Sequence, residues 1–386
     1  MLLKRPLKDV GPWRGVFEPS TATSFTERER VGLRSISVWC VTKGKIVTLN
    51  YYIYAFLLVS QVSLRYNRKW YGDGIGSMTR MTVDVIIPVY KPGKELFSLI
   101  KLLNQQSVSV NQILLMNTEE KYFEQLTYGT RFLEEHKNVK VFHLSKKEFD
   151  HGKTRHMGVC RSDAPIFVMM TQDALPADEF LLERLIRPLE GKVAVSYARQ
   201  LPTKDCSVLE SFTRQFNYPE QSMVKSLEDL DRLGIKTYFC SNVCAAYRRD
   251  IYDKLGGFVR HTIFNEDMIY AATAMKAGYQ IAYEASAQVN HSHNYTNMQQ
   301  LRRSFDMGVS QAQHPEVFRD VPSESEGKRL VKEATVYLKK NHMTGKLLHF
   351  YMQCASKYIG YFLGKHYQSL PNSFLLKITT NKDYWC

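Results

Sequence analysis

Short apolar runs alternate with segments of helical periodicity between residues 83 and 170. Residues 83–90 form an apolar run that ends in Pro-Val-Tyr, which is typical of a strand buried on both faces. Apolar positions then recur at helical spacing after Pro92 and Gly93, where a helix can begin. The alternation continues and predicts strands at 112–116, 139–144 and 165–170 and helices at 96–103, 122–135 and 154–161.

Strands that alternate with helices predict a parallel sheet of Rossmann-like α/β type. In open sheets of this kind, ligands bind beyond the carboxyl ends of the strands. The segments 90–92, 117–118 and 171–173 each lie at the end of a predicted strand. We therefore expect these three segments to meet around one crevice.

The pattern becomes mixed after residue 189. It predicts strands at 193–198, 279–283 and 288–293, helices at 208–221 and 266–277, and an apolar segment at 238–247. We assign residues 81–310 to one α/β domain and residues 311–386 to a helical C-terminal region. The tail from residue 328 interleaves apolar residues with lysines. It can form an amphipathic helix at an anionic membrane surface, or it can pack against its own α/β domain.

Residues 1–80 are interpreted as an N-terminal extension, because they have no core pattern apart from the apolar stretch 46–64. That stretch is close to the roughly 20 residues that span a bilayer. It contains the polar residues Asn50 and Gln61, however, which weakens the case for a span. A poorly ordered extension is favoured, with a membrane-associated segment at 46–64 as the alternative. No signal peptide is expected, because the stretch begins late and lacks a small-residue cleavage site.

The chain carries 52 Lys and Arg against 38 Asp and Glu, for a net charge of +14. This excess favours acidic partners such as nucleic acid, anionic lipid or a phosphorylated substrate. Residues 1–80 alone hold 13 basic and 5 acidic residues, so much of the excess lies outside the predicted α/β domain. Since no basic–aromatic recognition motif appears either, we expect no nucleic-acid partner.

Seven cysteines occur at scattered positions, which indicates reduced thiols and not a disulfide framework. Cys240 and Cys244, taken with His291 and His293, raise the alternative of a zinc site. Zinc sites need four ligands in two closely spaced pairs, so this alternative is disfavoured.

Carboxylates occur at two positions that suit chemistry. Asp173 follows a predicted buried strand, where it can bind a divalent cation that bridges a substrate diphosphate. An aspartate there can equally close a strand–helix turn. Glu266 and Asp267 begin a predicted helix, a favourable position for acidic residues in its own right. Adjacent carboxylates point in different directions, so one can face the crevice while the other forms a cap or an ion pair.

Two further segments suit metal or phosphate contact. His291 and His293 lie on the same face of an extended segment, and we expect one of them to have a structural role. Residues 149–155, Phe-Asp-His-Gly-Lys-Thr-Arg, place a glycine and basic and hydroxyl residues before a helix, which suits phosphate contact. They lack the spacing of an ATP-hydrolysing P-loop.

Together these motifs resemble the family 2 glycosyltransferases, and most of all the bacterial rhamnosyltransferases, over residues 82–340. The resemblance is carried by Val-Ile-Ile-Pro-Val-Tyr at 85–90, Asn117-Thr, residues 149–155, Thr-Gln-Asp-Ala at 171–174, Cys-Ser-Asn-Val-Cys-Ala-Ala-Tyr-Arg-Arg-Asp at 240–250, Gly-Gly-Phe at 256–258, Asn-Glu-Asp at 265–267 and His-Ser-His at 291–293.

This resemblance implies a GT-A fold, a mixed sheet flanked by helices, and an inverting transfer that depends on Mg²⁺ or Mn²⁺. It implies a nucleoside-diphosphate sugar donor, dTDP-rhamnose, and a glycan or lipid-linked acceptor in cell-surface polysaccharide synthesis. The implied location is the cytoplasm, at the inner face of the plasma membrane. Rival interpretations are an inactive sugar-nucleotide-binding scaffold and a nucleotidyltransferase.

The resemblance also implies roles for individual residues. Asp173 and His291 would bind the metal, and Asp267, paired with Glu266, would be the catalytic base. Two positions depart from the family pattern, because Asn117 and Thr171 stand where acidic residues are usual. The residues implied at the nucleotide and diphosphate are Pro88, Tyr90, Asn117, His151, Gly152, Arg155, Gln172 and Asp173.

Overall fold

The computed structural model describes residues 83–321 and 324–385. The extension 1–80, with its apolar stretch 46–64, lies outside the described residues, and so do Cys40 and Cys386.

One mixed sheet contains nine strands within the described ranges. Its order is β3-β2-β1-β4-β8-β6-β9-β5, with β7 paired to β9. The strands are β1 (Val83–Tyr90), β2 (Val110–Thr118), β3 (Val139–Leu144), β4 (Ile166–Met170), β5 (Leu175–Pro176), β6 (Val193–Leu201), β7 (Met223–Lys225), β8 (Cys244–Arg248) and β9 (Gln280–Asn290).

Helices flank this sheet and form the C-terminal region. The α-helices are α1 (Glu95–Asn104), α2 (Glu120–Thr127), α3 (Phe132–Glu135), α4 (His151–Val159), α5 (Leu181–Ile186), α6 (Val208–Asn217), α7 (Leu230–Leu233), α8 (Arg249–Lys254), α9 (Glu266–Lys276), α10 (Asn297–Gln313), α11 (Pro315–Phe318), α12 (Glu324–Lys340), α13 (Leu347–Lys365) and α14 (Asn372–Ile378). Short 3₁₀ turns connect several of them. The α/β class and the mixed sheet flanked by helices are confirmed.

The sheet is parallel in only one half. Strands β1 to β4 pair in parallel, as the alternation of strands and helices predicts. Strand β8 then lies antiparallel between β4 and β6, and β6 pairs in parallel with β9. The prediction of a parallel sheet thus holds for the half in which each strand is followed by a crossover helix.

Several predicted elements differ from the structure. The single helix expected at 122–135 is two helices, α2 and α3, because Gly129 adopts a φ of +71° and turns the chain between them. The helix predicted at 208–221 ends at Asn217. The two strands expected at 279–283 and 288–293 are the one strand β9, whose pairing with β6 shifts register after Glu284.

The core lies on both faces of the sheet. Along β1, Val85 and Ile87 pack into one apolar cluster while Ile86 packs into the other, and all three are fully buried. This two-sided burial explains why β1 is a continuous apolar run in the sequence. The carboxyl ends of β1, β2 and β4 therefore have firm positions from which side chains can be presented.

Helix α13 packs closely along α10. Helix α10 itself runs across residue 310, where the sequence analysis placed the domain boundary. Three glycines make this approach possible, because a Cβ at Gly308, Gly360 or Gly364 would overlap a backbone carbonyl of the facing helix. Of the two alternatives for the tail, packing against the chain's own domain is therefore present. Among the described residues, none of the helices has the length and apolar character needed to cross a bilayer.

Substituting Gly360→Ala should loosen the α10–α13 contact, since the added methyl group would meet the carbonyl of Leu301. We expect a cost of about 1–3 kcal/mol, typical of overpacking, and a lower Tm in thermal unfolding. Gly327→Ala is the matched control, because a Cβ there meets nothing within 4 Å. In the interior of α12 it should leave Tm unchanged or raise it. Equal Tm changes for the two variants would contradict the close packing.

Candidate active site

A buried ion pair lies at the start of α9. The Nε of Arg155 is 3.2 Å from Oε1 of Glu266, and the two side chains are 8% and 6% exposed. The side-chain amide of Asn242 donates a 3.0 Å hydrogen bond to the same oxygen of Glu266. Asn265, just before the helix, has a left-handed backbone with φ of 61°. The carboxylate of Glu266 is thus held inside the protein by one ion pair and one hydrogen bond.

The neighbouring carboxylate, Asp267, has a different environment. It is half-buried and accepts a 3.0 Å bond from the backbone N–H of Asn242 and a 2.8 Å bond from that of Met268. Neither bond comes from a charged side chain. Asp267 therefore lies beside the negative charge of Glu266 without a cation of its own.

These environments shift the two pKa values in opposite directions. Burial alone would raise the pKa of Glu266, but the charge of Arg155, the nearby His151 and the hydrogen bond from Asn242 together outweigh it and hold that pKa below its ordinary value. Burial, together with the ionised Glu266, raises the pKa of Asp267. Two neighbouring carboxylates whose pKa values are separated in this way suit acid–base chemistry. Asp267 is the member that can exchange a proton near neutral pH.

Asn242 is a site residue to which the sequence analysis assigned no role. It contacts both carboxylates, and its own amide oxygen accepts a 2.6 Å bond from the hydroxyl of Tyr247. The signal was present, because Asn242 lies inside the segment 240–250 that carried part of the resemblance. Nothing in that segment indicates its partners, which lie 24 and 25 residues further along the chain.

The segment 149–155 reaches this site through its local fold. Asp150 caps α4 by accepting bonds from Gly152 N (2.8 Å) and Lys153 N (3.0 Å), and its other oxygen accepts from Thr262 N (3.0 Å). Gly152 packs so closely that a Cβ would overlap the carbonyl of Val259. The segment's fold is thereby explained by packing, and a ligand role for Gly152 stays a prediction.

His151 lies beside the ion pair. Its ring contacts those of Phe149 and Phe264, with centroids 5.2 and 5.7 Å away, and its carbonyl accepts a 3.0 Å bond from Arg155. Burial lowers the pKa of His151 to about 4, so the imidazole is neutral at physiological pH. Arg155 therefore points towards Glu266. Its contact with the diphosphate, which the resemblance implied, stays a prediction.

A second cluster joins the end of β4 to the end of β9. Oδ2 of Asp173 is 3.2 Å from Nε2 of His293, and Oδ1 is 3.5 Å from Nε2 of His291. The two imidazole nitrogens are themselves 3.0 Å apart. One ligand atom from each residue lies within 4.8 Å of the others, which fits a single divalent metal ion. Sequence analysis named Asp173 and His291, and the structure adds His293.

The charges in this cluster suit metal binding. Burial would raise the pKa of Asp173, but the hydrogen bond and charge of His291 hold it well below the usual range, so the carboxylate is ionised. Burial, and secondly the proximity of His291, lowers the pKa of His293 to about 4. A neutral imidazole and an ionised carboxylate are the ligand forms that metals require.

Gln200 orients His291. The guanidinium of Arg214 donates a hydrogen bond to the side chain of Gln200. Because a guanidinium has donors only, the Gln200 atom that faces it must be the amide oxygen. The same oxygen lies 3.0 Å from Nδ1 of His291. Nδ1 must therefore carry a hydrogen, which leaves Nε2, the nitrogen that faces Asp173, as the possible ligand atom of His291. In the sequence, the one sign of a role for Gln200 is that it is a polar residue near the end of the largely apolar strand β6.

The carboxyl ends of β1 and β2 form a third group. Gln172 bonds both backbone groups of Tyr90, at 2.9 Å to the N–H and 3.0 Å to the carbonyl. The ring of Tyr90 meets that of Tyr122 with centroids 5.8 Å apart, and the ammonium of Lys91 lies over both rings. Pro88 is half-buried further back in β1. Tyr90, 38% exposed, and Lys91 are the exposed members of this group.

Asn117 is buried beside this group. Its amide nitrogen lies 2.9 Å from Nδ1 of His143, while its amide oxygen has no hydrogen-bond partner among the described residues. A buried carbonyl oxygen without a donor is costly unless a ligand supplies one.

Contacts connect the three groups. Gln172 and Asp173 are consecutive, so the β1–β2 end adjoins the metal cluster. Gln200, which orients His291, also donates a 3.0 Å bond to the hydroxyl of Ser241, next to Asn242 at the carboxylates. The alternative zinc site does not form, because neither Cys240 nor Cys244 joins the cluster of possible ligands found in the described part of the chain. Both thiols are buried and free.

Comparison with known proteins identifies the family of this chain. A model described as glycosyl transferase family 2 matches residues 84–256. The O-antigen chain rhamnosyltransferase RfbN of Salmonella typhimurium is 37% identical over 308 residues, which cover 79% of this chain and 96% of that protein. The O-antigen chain rhamnosyltransferase WbaN of Salmonella anatum is 37% identical over 305 residues, covering 78% and 95% respectively.

Among solved structures, a mannosyltransferase from Pyrobaculum calidifontis in complex with GDP-Man and Mn²⁺ aligns with a TM-score of 0.48 and 14% identity, covering 74% of this chain and 86% of that one. The family match and the mixed sheet flanked by helices agree with the GT-A fold that the resemblance implied. The identity to the two Salmonella proteins extends over nearly their whole length. The chain therefore belongs to glycosyltransferase family 2, and it is a glycosyltransferase.

Proposed function

We propose that this enzyme is an inverting rhamnosyltransferase that moves rhamnose from dTDP-rhamnose to a glycan or lipid-linked acceptor during synthesis of a cell-surface polysaccharide. The names of the two Salmonella relatives support rhamnose as the transferred sugar. The observation that carries the proposed chemistry is the pair Glu266 and Asp267, whose pKa values are shifted in opposite directions.

Asp267 is the proposed catalytic base. It takes the proton of the acceptor hydroxyl while that oxygen attacks the anomeric carbon of the donor and the bond to the diphosphate breaks. The new glycosidic bond forms on the face opposite the leaving group, so the configuration inverts in a single displacement. The raised pKa of Asp267 favours acceptance of this proton, and the ionised Glu266 stabilises its protonated form.

Asp173, His291 and His293 are the proposed metal ligands. One carboxylate and two imidazoles fit Mn²⁺ better than Mg²⁺, which strongly prefers oxygen ligands. When bound, the metal would neutralise charge on the departing diphosphate. His293 supplies the donor that is missing where the family's first acidic residue is replaced by Thr171.

The nucleotide is proposed to bind at the carboxyl ends of β1 and β2. The exposed ring of Tyr90 offers a stacking surface for the base, next to the cation of Lys91. The unpartnered amide oxygen of Asn117 can accept an N–H of the base, although the family usually has an acidic residue there. Thymine offers such an N–H, consistent with a dTDP donor.

Contact with the inner face of the plasma membrane is proposed for α13. Its outer face carries an exposed apolar stripe at spacings of three, four and seven residues, which we call the outer stripe. Residues 324–385 hold 10 Lys and Arg against 4 Asp and Glu, whereas residues 81–323 hold 29 of each. Apolar exposure combined with local positive charge is the signature of an interfacial helix. The outer stripe consists of Leu348, Tyr351, Met352, Tyr358, Ile359 and Phe362.

The proposed function predicts release of dTDP from dTDP-rhamnose when acceptor and Mn²⁺ are present, with less release when Mg²⁺ replaces Mn²⁺.

Asp267→Asn should lower kcat/KM by about 10²–10⁴-fold, because the acceptor hydroxyl loses its base. Since the pKa of Asp267 is raised, wild-type activity should fall with acidification at a pH above that of an ordinary aspartate. Coupled nucleotide-release assays across a panel of nucleotide sugars measure all three effects.

The matched control is Asp253→Asn, on the exposed end of α8, which should keep wild-type activity. Near-normal transfer by a folded Asp267→Asn variant would overturn the base assignment. Tight binding of one nucleotide sugar without any turnover by the wild type would favour the inactive-scaffold interpretation.

Gln200→Leu should weaken Mn²⁺ binding by about 10–100-fold, because the hydrogen bond that orients His291 is lost. Gln200→Glu retains an acceptor for His291 and should restore most of the affinity. Mn²⁺ titration followed by electron paramagnetic resonance measures this directly, without turnover. Gln288→Leu on the same sheet is the control, since its side chain bonds only the carbonyl of Ala285. Unchanged Mn²⁺ affinity in Gln200→Leu would contradict the role of Gln200.

Replacing Tyr358 and Phe362 of the outer stripe with serine should reduce binding to vesicles of phosphatidylglycerol and phosphatidylethanolamine by more than about tenfold. Co-sedimentation of the full chain measures the bound fraction and leaves the basic extension 1–80 unchanged in both samples. Tyr128→Ser is the control, because Tyr128 is 90% exposed in the β2–β3 connection, outside α13. Equal binding of the stripe variant and the control would exclude the proposed membrane contact.

A further inference from the structure

A cavity adjoins the metal cluster. It has a volume of about 290 Å³ and lies between α6, the first turn of α10, and α13. His293 forms part of its wall, so one side of this cavity is shared with the proposed metal site. We call it the tail pocket and define it by Glu210, His293, Tyr295, Gln300, Gln353 and Lys357.

Several polar groups in the tail pocket have capacity left for a ligand. The side chains of Lys357 and Gln300 are half-buried and make no hydrogen bond or ion pair with other described residues. Burial lowers the pKa of Lys357, which indicates incomplete solvation of its ammonium. The amide nitrogen of Gln353 lies 3.1 Å from His349, and the amide oxygen remains available. Donors and acceptors without a partner of this kind suit a hydroxyl-rich ligand.

The pocket lining contains one charged residue of each sign. Glu210 and Lys357 both line it, and Glu210 is held by a 2.8 Å ion pair with Arg214. The Glu210 carboxylate can accept a bond from a sugar hydroxyl, and the Lys357 ammonium can donate one. Leu209, Phe350 and the ring of Tyr295 supply apolar surface. Apolar walls with a few convergent polar groups are typical of small-molecule sites.

The position of the tail pocket in the sheet separates it from the proposed nucleotide site. Tyr90, Asn117 and Gln172 belong to the β1–β2–β4 half, whereas α6 follows β6 and His293 follows β9. The metal cluster joins these halves, because Asp173 follows β4 and the histidines follow β9. A donor whose diphosphate lies at the metal and whose base lies at Tyr90 leaves the β6–β9 side open to the second substrate.

We infer that the tail pocket binds the terminal saccharide of the acceptor glycan, with Lys357, Gln353 and Gln300 bonding its hydroxyls. This inference rests on the proposed function and names the second substrate's site within it. It makes the C-terminal helix α13 part of acceptor recognition. The saccharide would approach the metal cluster from the side opposite the nucleotide.

A natural thiol reports on occupancy of the tail pocket. Cys354 of α13 lies in the pocket wall and is free, and exposed Cys160 at the end of α4 is an internal reference in the same molecule. Iodoacetamide alkylation of the two cysteines is followed by peptide mass spectrometry. The probes are methyl α-L-rhamnoside, methyl α-D-mannoside, methyl α-D-galactoside, and dTDP with Mn²⁺.

At least one glycoside should slow alkylation of Cys354 without changing that of Cys160, and dTDP with Mn²⁺ should leave both rates unchanged. Protection of Cys354 by none of the glycosides, or by dTDP alone, would overturn the inference. This measurement does not require turnover. Protection by a glycoside in a chain that transfers from no nucleotide sugar would retain the saccharide site and reject the proposed function.

Lys357→Met should raise the acceptor KM by about tenfold, the factor expected for one lost bond to a charged group, with unchanged affinity for dTDP and Mn²⁺. Gln353→Leu should act in the same direction. Lys346→Met, on the exposed residue just before α13 and outside the pocket, is the control and should leave the acceptor KM unchanged. An acceptor KM that is the same in all three variants, or a parallel loss of dTDP affinity, would contradict the inference.

Discussion

The buried ion pair between Arg155 and Glu266 determines the charge state of the two neighbouring carboxylates, Glu266 and Asp267. With side chains 8% and 6% exposed, neither charge is compensated by water, so each needs the other. Removing one partner of such a pair typically costs about 3–5 kcal/mol, because the remaining charge is left buried. The pair also fixes the charge on Glu266, and that charge contributes to the raised pKa of Asp267.

Folding of the segment 149–155 and chemistry at Asp267 are linked through this pair. Asp150 caps α4 and also accepts from Thr262, which ties the start of α4 to the loop before α9. The cap thus holds Arg155 where it meets Glu266. The segment 149–155 resembles a phosphate-binding loop in sequence. In this fold it positions Arg155 beside Glu266 and so stabilises the proposed catalytic carboxylates.

A polar network relates the metal cluster to the base in the same way. Gln200 bonds His291 through its oxygen and Ser241 through its nitrogen, and Asn242 bonds both Glu266 and Asp267. The proposed metal ligands and the proposed base are therefore positioned by neighbouring buried residues, through both side-chain and backbone groups. This suits a displacement in which the leaving diphosphate and the attacking hydroxyl must be held in a fixed relation.

Local patterns in the sequence were enough to predict strands β1 to β4, the helix that starts at Glu266, and Asp173 at a strand end, because each depends on neighbouring residues. The antiparallel insertion of β8 was not predicted, since strand direction in the second half depends on long-range pairing. Arg155 and Glu266 meet across 111 positions, and Gln200 and His291 across 91, as the numbering shows. No local period encodes such contacts.

Helix α13 combines three surfaces that local periodicity alone did not separate. Gly360 and Gly364 form the face that packs on α10, while Gln353 and Lys357 lie in the tail pocket. The outer stripe lies on the exposed side. Because a single rigid helix carries all three, its packing fixes how the pocket is oriented relative to the stripe. If the outer stripe meets a membrane, the same contact sets the height above the lipid at which an acceptor saccharide can enter the tail pocket.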